Sequence, residues 1–171
     1  MTHGRSWSML LAMTADPVDT VGTVGTVGTV GEAERVFHSA PFVRDLGLEL
    51  ESLSPGSCVS SLPLARRHLQ QDGFVHAGVQ ATVADHTAGT AAATTIPPDR
   101  IVLSIEFKIN LLRPAMGERL VCRAHVLRPG GRIIVAESEV FSVDSSGERL
   151  VSKATVTLAV VPRPAPGDPP G

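Results

Sequence analysis

The chain has 171 residues, 43% apolar and 19% charged, which is typical of one globular domain with its own core. Its 15 basic and 17 acidic residues nearly cancel, so neither a nucleic-acid partner nor an anionic membrane surface is indicated. No apolar run is long enough to span a membrane. Two cysteines, Cys58 and Cys122, are too few for a disulfide framework and are expected to be buried free thiols in a reducing cytoplasm.

The two ends of the chain differ in composition from the middle. Residues 1–31 end in a Val-Gly-Thr repeat that fits neither helix nor strand periodicity, and residues 162–171 are rich in proline and glycine. Both segments are predicted to be disordered, which leaves residues 32–161 as the folded domain. The short apolar stretch at 6–13 follows a single arginine, so a cytoplasmic location is favoured over export by a signal peptide.

The folded part begins with a short helix up to Gly47 that is broken around Pro41. Alternating residues on either side of the Ser54-Pro55-Gly56 turn predict a hairpin. The run of small residues from about Gly78 to Thr94 is the one later stretch long enough for a helix. Four long strand candidates follow as a meander, over residues 100–114, 118–128, 132–143 and 149–161. The prediction is an α+β domain in which a curved antiparallel sheet wraps around one long central helix.

The first of these four strands shows a regular alternation. One predicted face is apolar, and the other is mostly polar. The apolar face consists of Ile101, Leu103, Ile105, Phe107, Ile109 and Leu111, and the other face consists of Val102, Ser104, Glu106, Lys108 and Asn110.

The central helix carries a single acid, Asp85, among small residues. At 100° per residue Asp85 shares a stripe with Ala81, Ala88, Gly89 and Ala92, so its carboxylate is expected to project into space that a ligand can use. The loop over residues 72–78 leads into the N-terminus of the helix, where unpaired N–H groups can hold an anionic oxygen. A carboxylate and a group of N–H donors are two of the parts needed to attack a carbonyl.

Residues 70–78, together with Ala84-Asp85, resemble the Asn/Gln-x-x-Gly-x-x-His-Gly-Gly…Asp signature of phenylacetate-pathway (PaaI-like) acyl-CoA thioesterases of the hotdog fold. The nine-residue spacing from His76 to Asp85 matches, and residues 37–161 fit the family layout. The resemblance implies hydrolysis of an acyl-CoA without a further cofactor, at the interface of a homodimer that often pairs into tetramers. This chain has Ala77 at the first glycine of the motif, which is costly where the backbone needs a positive φ.

The resemblance also assigns roles to individual residues. Asp85 is implied to be the nucleophile or the base that activates water, and His76 helps to hold the thioester. The Ala77 N–H, followed by Gly78 of the same motif, is implied to polarise the thioester oxygen. Gln70 of the neighbouring subunit orients the carboxylate or the attacking water.

Further positions leave two interpretations open. Ser104 matches a polar position beside the nucleophile in some members, although a solvated strand face explains it nearly as well. Arg113, Arg128 and Arg132 lie at strand ends or turns, where they either bind the phosphates of coenzyme A or are plain solvated side chains. His86 points about 100° away from its neighbouring acid and is expected to be structural or at the rim of the site.

Other functions remain as alternatives or are disfavoured by the sequence. The alternatives are a thioesterase acting on acyl carrier protein and a non-catalytic acyl-CoA-binding protein. The six histidines lack the spacing of metal ligands, so no metal is expected. The sequence contains neither a Gly-x-Ser-x-Gly elbow nor a phosphate-binding glycine loop.

Overall fold

The computed structural model describes residues 30–165, so most of the predicted leader and the end of the tail lie outside the described residues. The elements are α1 (Val30–Ser39), α2 (Pro41–Leu46), β1 (Glu49–Ser54), β2 (Ser57–Pro63), α3 (Ala77–Ala93), β3 (Arg100–Leu111), β4 (Arg119–Arg128), β5 (Ile133–Asp144) and β6 (Gly147–Pro162). The strands form one antiparallel sheet in the order β1-β2-β4-β5-β6-β3, and α3 packs across β2 to β6. The predicted α+β architecture, a curved sheet around one long central helix, is confirmed.

The segment before the sheet is divided where the sequence predicts. Helix α1 buries Ala33 and Phe37, which are four residues apart and therefore share one face. Helix α2 begins at Pro41. Proline suits the first position of a helix, because the N–H that it lacks would have no partner within the helix there. The predicted hairpin turn joins β1 to β2, and its Gly56 has a φ of +75°, a conformation that glycine adopts without strain.

Helix α3 approaches the sheet closely because both surfaces carry small side chains. On the sheet side, the Ser60 Oγ and the Thr87 Oγ1 of α3 share a buried hydrogen bond of 2.6 Å. Ala88 and Ala92 are both 0% exposed, because the sheet fills the space beside them. The small residues of the Asp85 stripe therefore leave no open space toward the C-terminal end of the helix, and the room expected beside the Asp85 carboxylate itself stays a prediction.

Both cysteines are free and buried, as the composition predicts. Burial raises the pKa of the Cys58 and Cys122 thiols to about 12, so both stay protonated and take the place of small apolar side chains. Among residues 30–165, the helices are too short or too polar to cross a membrane.

Strand β3 lies at one edge of the sheet and contains a β-bulge at Ile105, where its register with β6 shifts. Before the bulge, Ser104 lies opposite Leu158, and after it Phe107 lies opposite Val156. Leu158 and Val156 are fully buried on the helix side, so Ser104 and Phe107 both face α3. The prediction of one continuous apolar face is wrong, because the extra residue reverses the alternation halfway along the strand.

The free side of β3 exposes several large apolar side chains. Four of them are between 42% and 59% exposed: Leu103, Ile105, Phe107 and Leu111. A long, apolar and unpaired edge strand is a template for pairing with another chain. In the described residues, this exposed apolar edge is therefore a candidate surface for contact with another protein chain.

Candidate active site

Asp85 lies in the middle of α3, half-buried beside β3. The Ser104 Oγ donates a hydrogen bond of 2.7 Å to its Oδ1, and the bulge in β3 is what turns Ser104 toward it. Within residues 30–165, Asp85 forms no salt bridge and its Oδ2 accepts no hydrogen bond. One carboxylate oxygen is therefore fixed in place, and the other is available to attack a carbonyl or to accept a proton from water.

The N-terminus of α3 retains one free N–H donor. Gly78 N donates to the His76 Nδ1 at 2.9 Å, and Val79 N and Gln80 N donate to the His76 carbonyl oxygen at 3.0 and 3.3 Å. In the described part of the chain, the Ala77 N–H has no hydrogen-bond partner. Of the donors that a helix start leaves open, the Ala77 N–H is therefore the one available to a developing oxyanion.

The alanine at position 77 is compatible with this geometry. No residue other than glycine has a positive φ in residues 30–165, so Ala77 is unstrained where the family has glycine. Gly78 is not among the glycines with a positive φ, so glycine is favoured there for a different reason. A Cβ there would lie 3.1 Å from the His76 Nδ1, so glycine allows the imidazole to fold over and cap the helix.

A groove of about 390 Å³ opens beside this helix start. It brings together three of the residues singled out from the sequence: Gln70, Ala77 and Arg113. The Gln70 Oε1 accepts a hydrogen bond from the Asp72 N–H, and Arg113 donates to the Leu150 carbonyl oxygen at 2.9 Å. The rest of the wall is mostly apolar, as is usual for a ligand site with a few polar groups.

The other two arginines lie elsewhere in the protomer. Arg128 and Arg132 flank the turn between β4 and β5, and the Arg132 carbonyl oxygen accepts from the Val160 N–H. Val160 pairs with the beginning of β3, whereas Arg113 is the second residue after its end. The three arginines therefore do not form one cluster within a single protomer.

The acid and the free N–H are also separated within one protomer. Asp85 follows Ala77 by eight residues, which corresponds to about 12 Å along the helix axis at 1.5 Å per residue. A reacting carbonyl must lie roughly 3 Å from both the nucleophile and the oxyanion donor. Ala77 and Asp85 of the same chain cannot both contact it.

Gln80 is a further candidate site residue, which the sequence did not single out. It lines the same groove, one helical turn after Ala77, yet its side chain is only 3% exposed. Its Oε1 has no hydrogen-bond partner in the described residues. The signal in the sequence was a long polar side chain in a helix of small residues, and it became informative only once its burial was known.

The next residue after Asp85, His86, belongs to the scaffold. His86 points to the other side of α3, where its ring packs on Phe37 of α1 at 4.8 Å, and burial lowers its pKa. This agrees with the structural role expected for it. Within residues 30–165, no three His, Cys, Asp or Glu side chains converge closely enough to hold a metal ion.

Comparison with known proteins places these residues in a family. A model of the thioesterase superfamily matches residues 72–148. The crystal structure of a thioesterase family protein from Silicibacter pomeroyi is 35% identical with a TM-score of 0.75, and the match covers 77% of this chain and 97% of that protein. A 1,4-dihydroxy-2-naphthoyl-CoA hydrolase of Listeria monocytogenes is 29% identical over 67% of this chain and 91% of its own length. A medium/long-chain acyl-CoA thioesterase of Salmonella typhimurium is 28% identical over 73% of this chain and 88% of its own length.

Proposed function

This chain belongs to the thioesterase superfamily, has its hotdog fold and is a thioester hydrolase; from that premise we propose that it cleaves an acyl-CoA into a free acid and coenzyme A, with Asp85 supplying the attack. The substrate class is supported by relatives whose names specify CoA thioesters. The observation that carries the proposal is the Asp85 carboxylate, which is held through one oxygen by Ser104 and free at the other.

Two routes fit this carboxylate. In one, an Asp85 oxygen bonds to the thioester carbon, the thiolate leaves, and water hydrolyses the resulting anhydride. In the other, Asp85 takes a proton from water as the water adds to the same carbon. Both routes place negative charge on the carbonyl oxygen, where a fixed N–H donor such as that of Ala77 gives the largest stabilisation.

The reacting carbonyl lies between two protomers in this proposal. The separation of about 12 Å between Ala77 and Asp85 along one helix means that the donor must come from a second copy. The apolar edge of β3, next to Ser104 and Asp85, is the surface on which a second copy fits. Two identical edge strands related by a two-fold axis in one continuous sheet run antiparallel. The beginning of each α3 then approaches the middle of the other.

The same pairing accounts for the remaining predicted residues. Antiparallel helices bring the C-terminal end of α3 of one protomer toward the groove of the other protomer. Arg128 and Arg132 of the first protomer lie near that helix end, and Arg113 of the second protomer lines the groove. Arginines from two protomers then bind the phosphates of one coenzyme A. Gln70 lies in the same groove and orients the attacking water or the carboxylate, and His76 fixes the helix start that carries the oxyanion donor.

The test is thiol release from a panel of acyl-CoAs. We expect Asp85→Asn to fold and assemble normally while kcat on the best substrate falls by at least about a thousandfold, because the amide neither attacks nor accepts the proton. Asp99→Asn, the same change at an exposed aspartate, is the matched control and is expected to leave turnover unaltered. Full activity in Asp85→Asn would refute the site. Faster turnover of the same acyl group on a carrier protein would assign the substrate to that carrier instead.

A further inference from the structure

Gln80, one of the residues that line the groove, carries a buried hydrogen-bond acceptor. Its Nε2 donates to the Val75 carbonyl oxygen at 3.3 Å, while its Oε1 is closed off from water and unpaired in the described residues. The orientation of the amide is fixed, because a flipped amide would point its oxygen at the Val75 oxygen. A buried acceptor without a donor is unfavourable, so a group of this kind usually has a partner that arrives with a ligand or a water.

The apolar surroundings of this acceptor indicate which kind of ligand group it can bind. The groove beside it is lined largely by apolar residues, among them Val75, Leu111 and Leu112. In such an environment one hydrogen bond is strong and discriminates between ligands with and without a donor. Ala77 and Gln80 are three residues apart on α3 and therefore lie on one face, with a free donor at Ala77 and a free acceptor at Gln80.

We propose that ligand binding opens the Gln80 Oε1 to the groove, where it accepts a hydrogen bond from the amide N–H of the cysteamine unit, the part of the pantetheine arm next to the thioester sulfur. This inference rests on the proposed function. The amide nitrogen is two methylene groups from the sulfur, so a thioester whose oxygen binds the Ala77 N–H carries its amide N–H within about one helical turn of that point. Gln80 thereby selects pantetheine thioesters over simple alkyl thioesters and aligns the carbonyl.

The experiment compares two small thioesters of the same acyl group. One is the N-acetylcysteamine thioester, and the other is its ketone analogue, in which a CH₂ replaces the N–H. We expect the wild type to hydrolyse the amide substrate with a kcat/KM about tenfold higher than that of the ketone. Gln80→Met, which keeps the length but removes the acceptor, is expected to lower the amide substrate to the level of the ketone and to leave the ketone unchanged.

Gln71→Met changes an exposed glutamine in the adjacent loop and is expected to keep the full preference. Equal losses on both substrates in Gln80→Met would show that Gln80 only supports the loop, and would overturn the inference. A wild type without any preference for the amide would overturn it regardless of how the variant folds. If the wild type hydrolysed no thioester at all, the proposed function would fail first.

The pantetheine arm is shared by coenzyme A and by acyl carrier proteins. Wild-type turnover of the same acyl group on each carrier identifies which one supplies the substrate. Because both present the same cysteamine amide, Gln80→Met is expected to lower the two by the same factor of about ten. A loss confined to one carrier would contradict recognition of the shared amide.

Discussion

The two edges of the sheet are finished in different ways. Strand β1 is six residues long, and the chain covers its side of the molecule with α1, whose Phe37 is buried. Strand β3 is twelve residues long and leaves large apolar side chains such as Leu103 and Ile105 more than half exposed. The chain therefore covers one edge by itself and leaves the other open, and this open edge is where a second copy pairs in the proposed function.

The consecutive residues Asp85 and His86 face these two sides. Asp85 accepts from Ser104 on the open side, whereas His86 packs on Phe37 on the closed side. The comparison suggests a division of labour along one helix. Contacts on the closed side stabilise the fold of the protomer, and in the proposed function the chemistry lies on the open side and depends on assembly.

Among the variants that distinguish the two edges, the largest effect is expected from blocking the open edge. Leu103→Lys places a charge in the apolar strip of β3, which disfavours edge-to-edge pairing. We expect it to yield monomers and to lower kcat/KM at least about a hundredfold, the cost of losing an oxyanion donor supplied by the partner. Light scattering after size-exclusion chromatography and thiol release measure the two effects.

The matched control adds the same charge to the closed edge. Ser52 is exposed on β1, so Ser52→Lys is expected to change neither assembly nor turnover. A monomeric Leu103→Lys variant with full activity would break the proposed link between the open edge and catalysis.

A smaller effect is expected within the site itself. Ser104→Ala removes the hydrogen bond to the Asp85 Oδ1, so the carboxylate samples more orientations. We expect kcat to fall about tenfold with assembly unchanged, as for the loss of one hydrogen bond to a charged group. Lys108→Ala, on the opposite face of the same strand, is the control and should have no effect on kcat. Equal kcat values in all three proteins would remove Ser104 from the site.

The smallest effect concerns the closed side and the stability of the fold. Burial lowers the pKa of His86 from its ordinary value of 6.5, so the folded protein favours the neutral ring more than the unfolded chain does. The stability that this contributes is fully present above about pH 6.5 and is lost as the pH falls below it, because the unfolded chain then binds more protons.

Urea unfolding at about pH 7.5 and about pH 5.5 measures this dependence. His86→Leu is expected to reduce the difference in unfolding free energy between the two pH values, since leucine does not titrate. The exposed His125 provides the comparison, and His125→Asn is expected to retain the dependence. An undiminished dependence in His86→Leu would assign it to other groups.

The fold could be predicted where it depends on residues close in sequence. The break at Pro41, the turn at Gly56 and the helix of small residues all follow from local patterns. The bulge at Ile105 could not, because it depends on pairing with the distant strand β6. Because apolar residues lie on both faces of β3, its sequence continues to alternate regularly through the bulge.

The site was predictable only in part. The motif resemblance singled out Asp85, His76 and the Ala77 N–H, but it did not show why that N–H is unpaired. That depends on the His76 ring, which folds back to accept from Gly78 and leaves the Ala77 N–H unpaired. Which polar groups are paired or buried depends on the three-dimensional structure, and the order of residue types along the chain does not specify it.

The central claim is that the acid of one protomer acts with the helix N-terminus of another, and mixing two inactive variants tests it most directly. Asp85→Asn removes the acid, and Ala77→Pro removes the N–H. Proline fits at this first helical position, because His76 has a φ of −58° and a ψ of 139°, a conformation that the residue before a proline favours. Each variant alone is expected to lose nearly all activity.

When the two variants are co-expressed, about half of the dimers contain one protomer of each, and one site in each such dimer combines an intact Asp85 with an intact Ala77 N–H. We predict that the mixture regains about a quarter of the wild-type turnover per protomer. Mixed dimers that are verified by native mass spectrometry, yet turn over no faster than the two variants measured separately, would contradict a site shared between protomers.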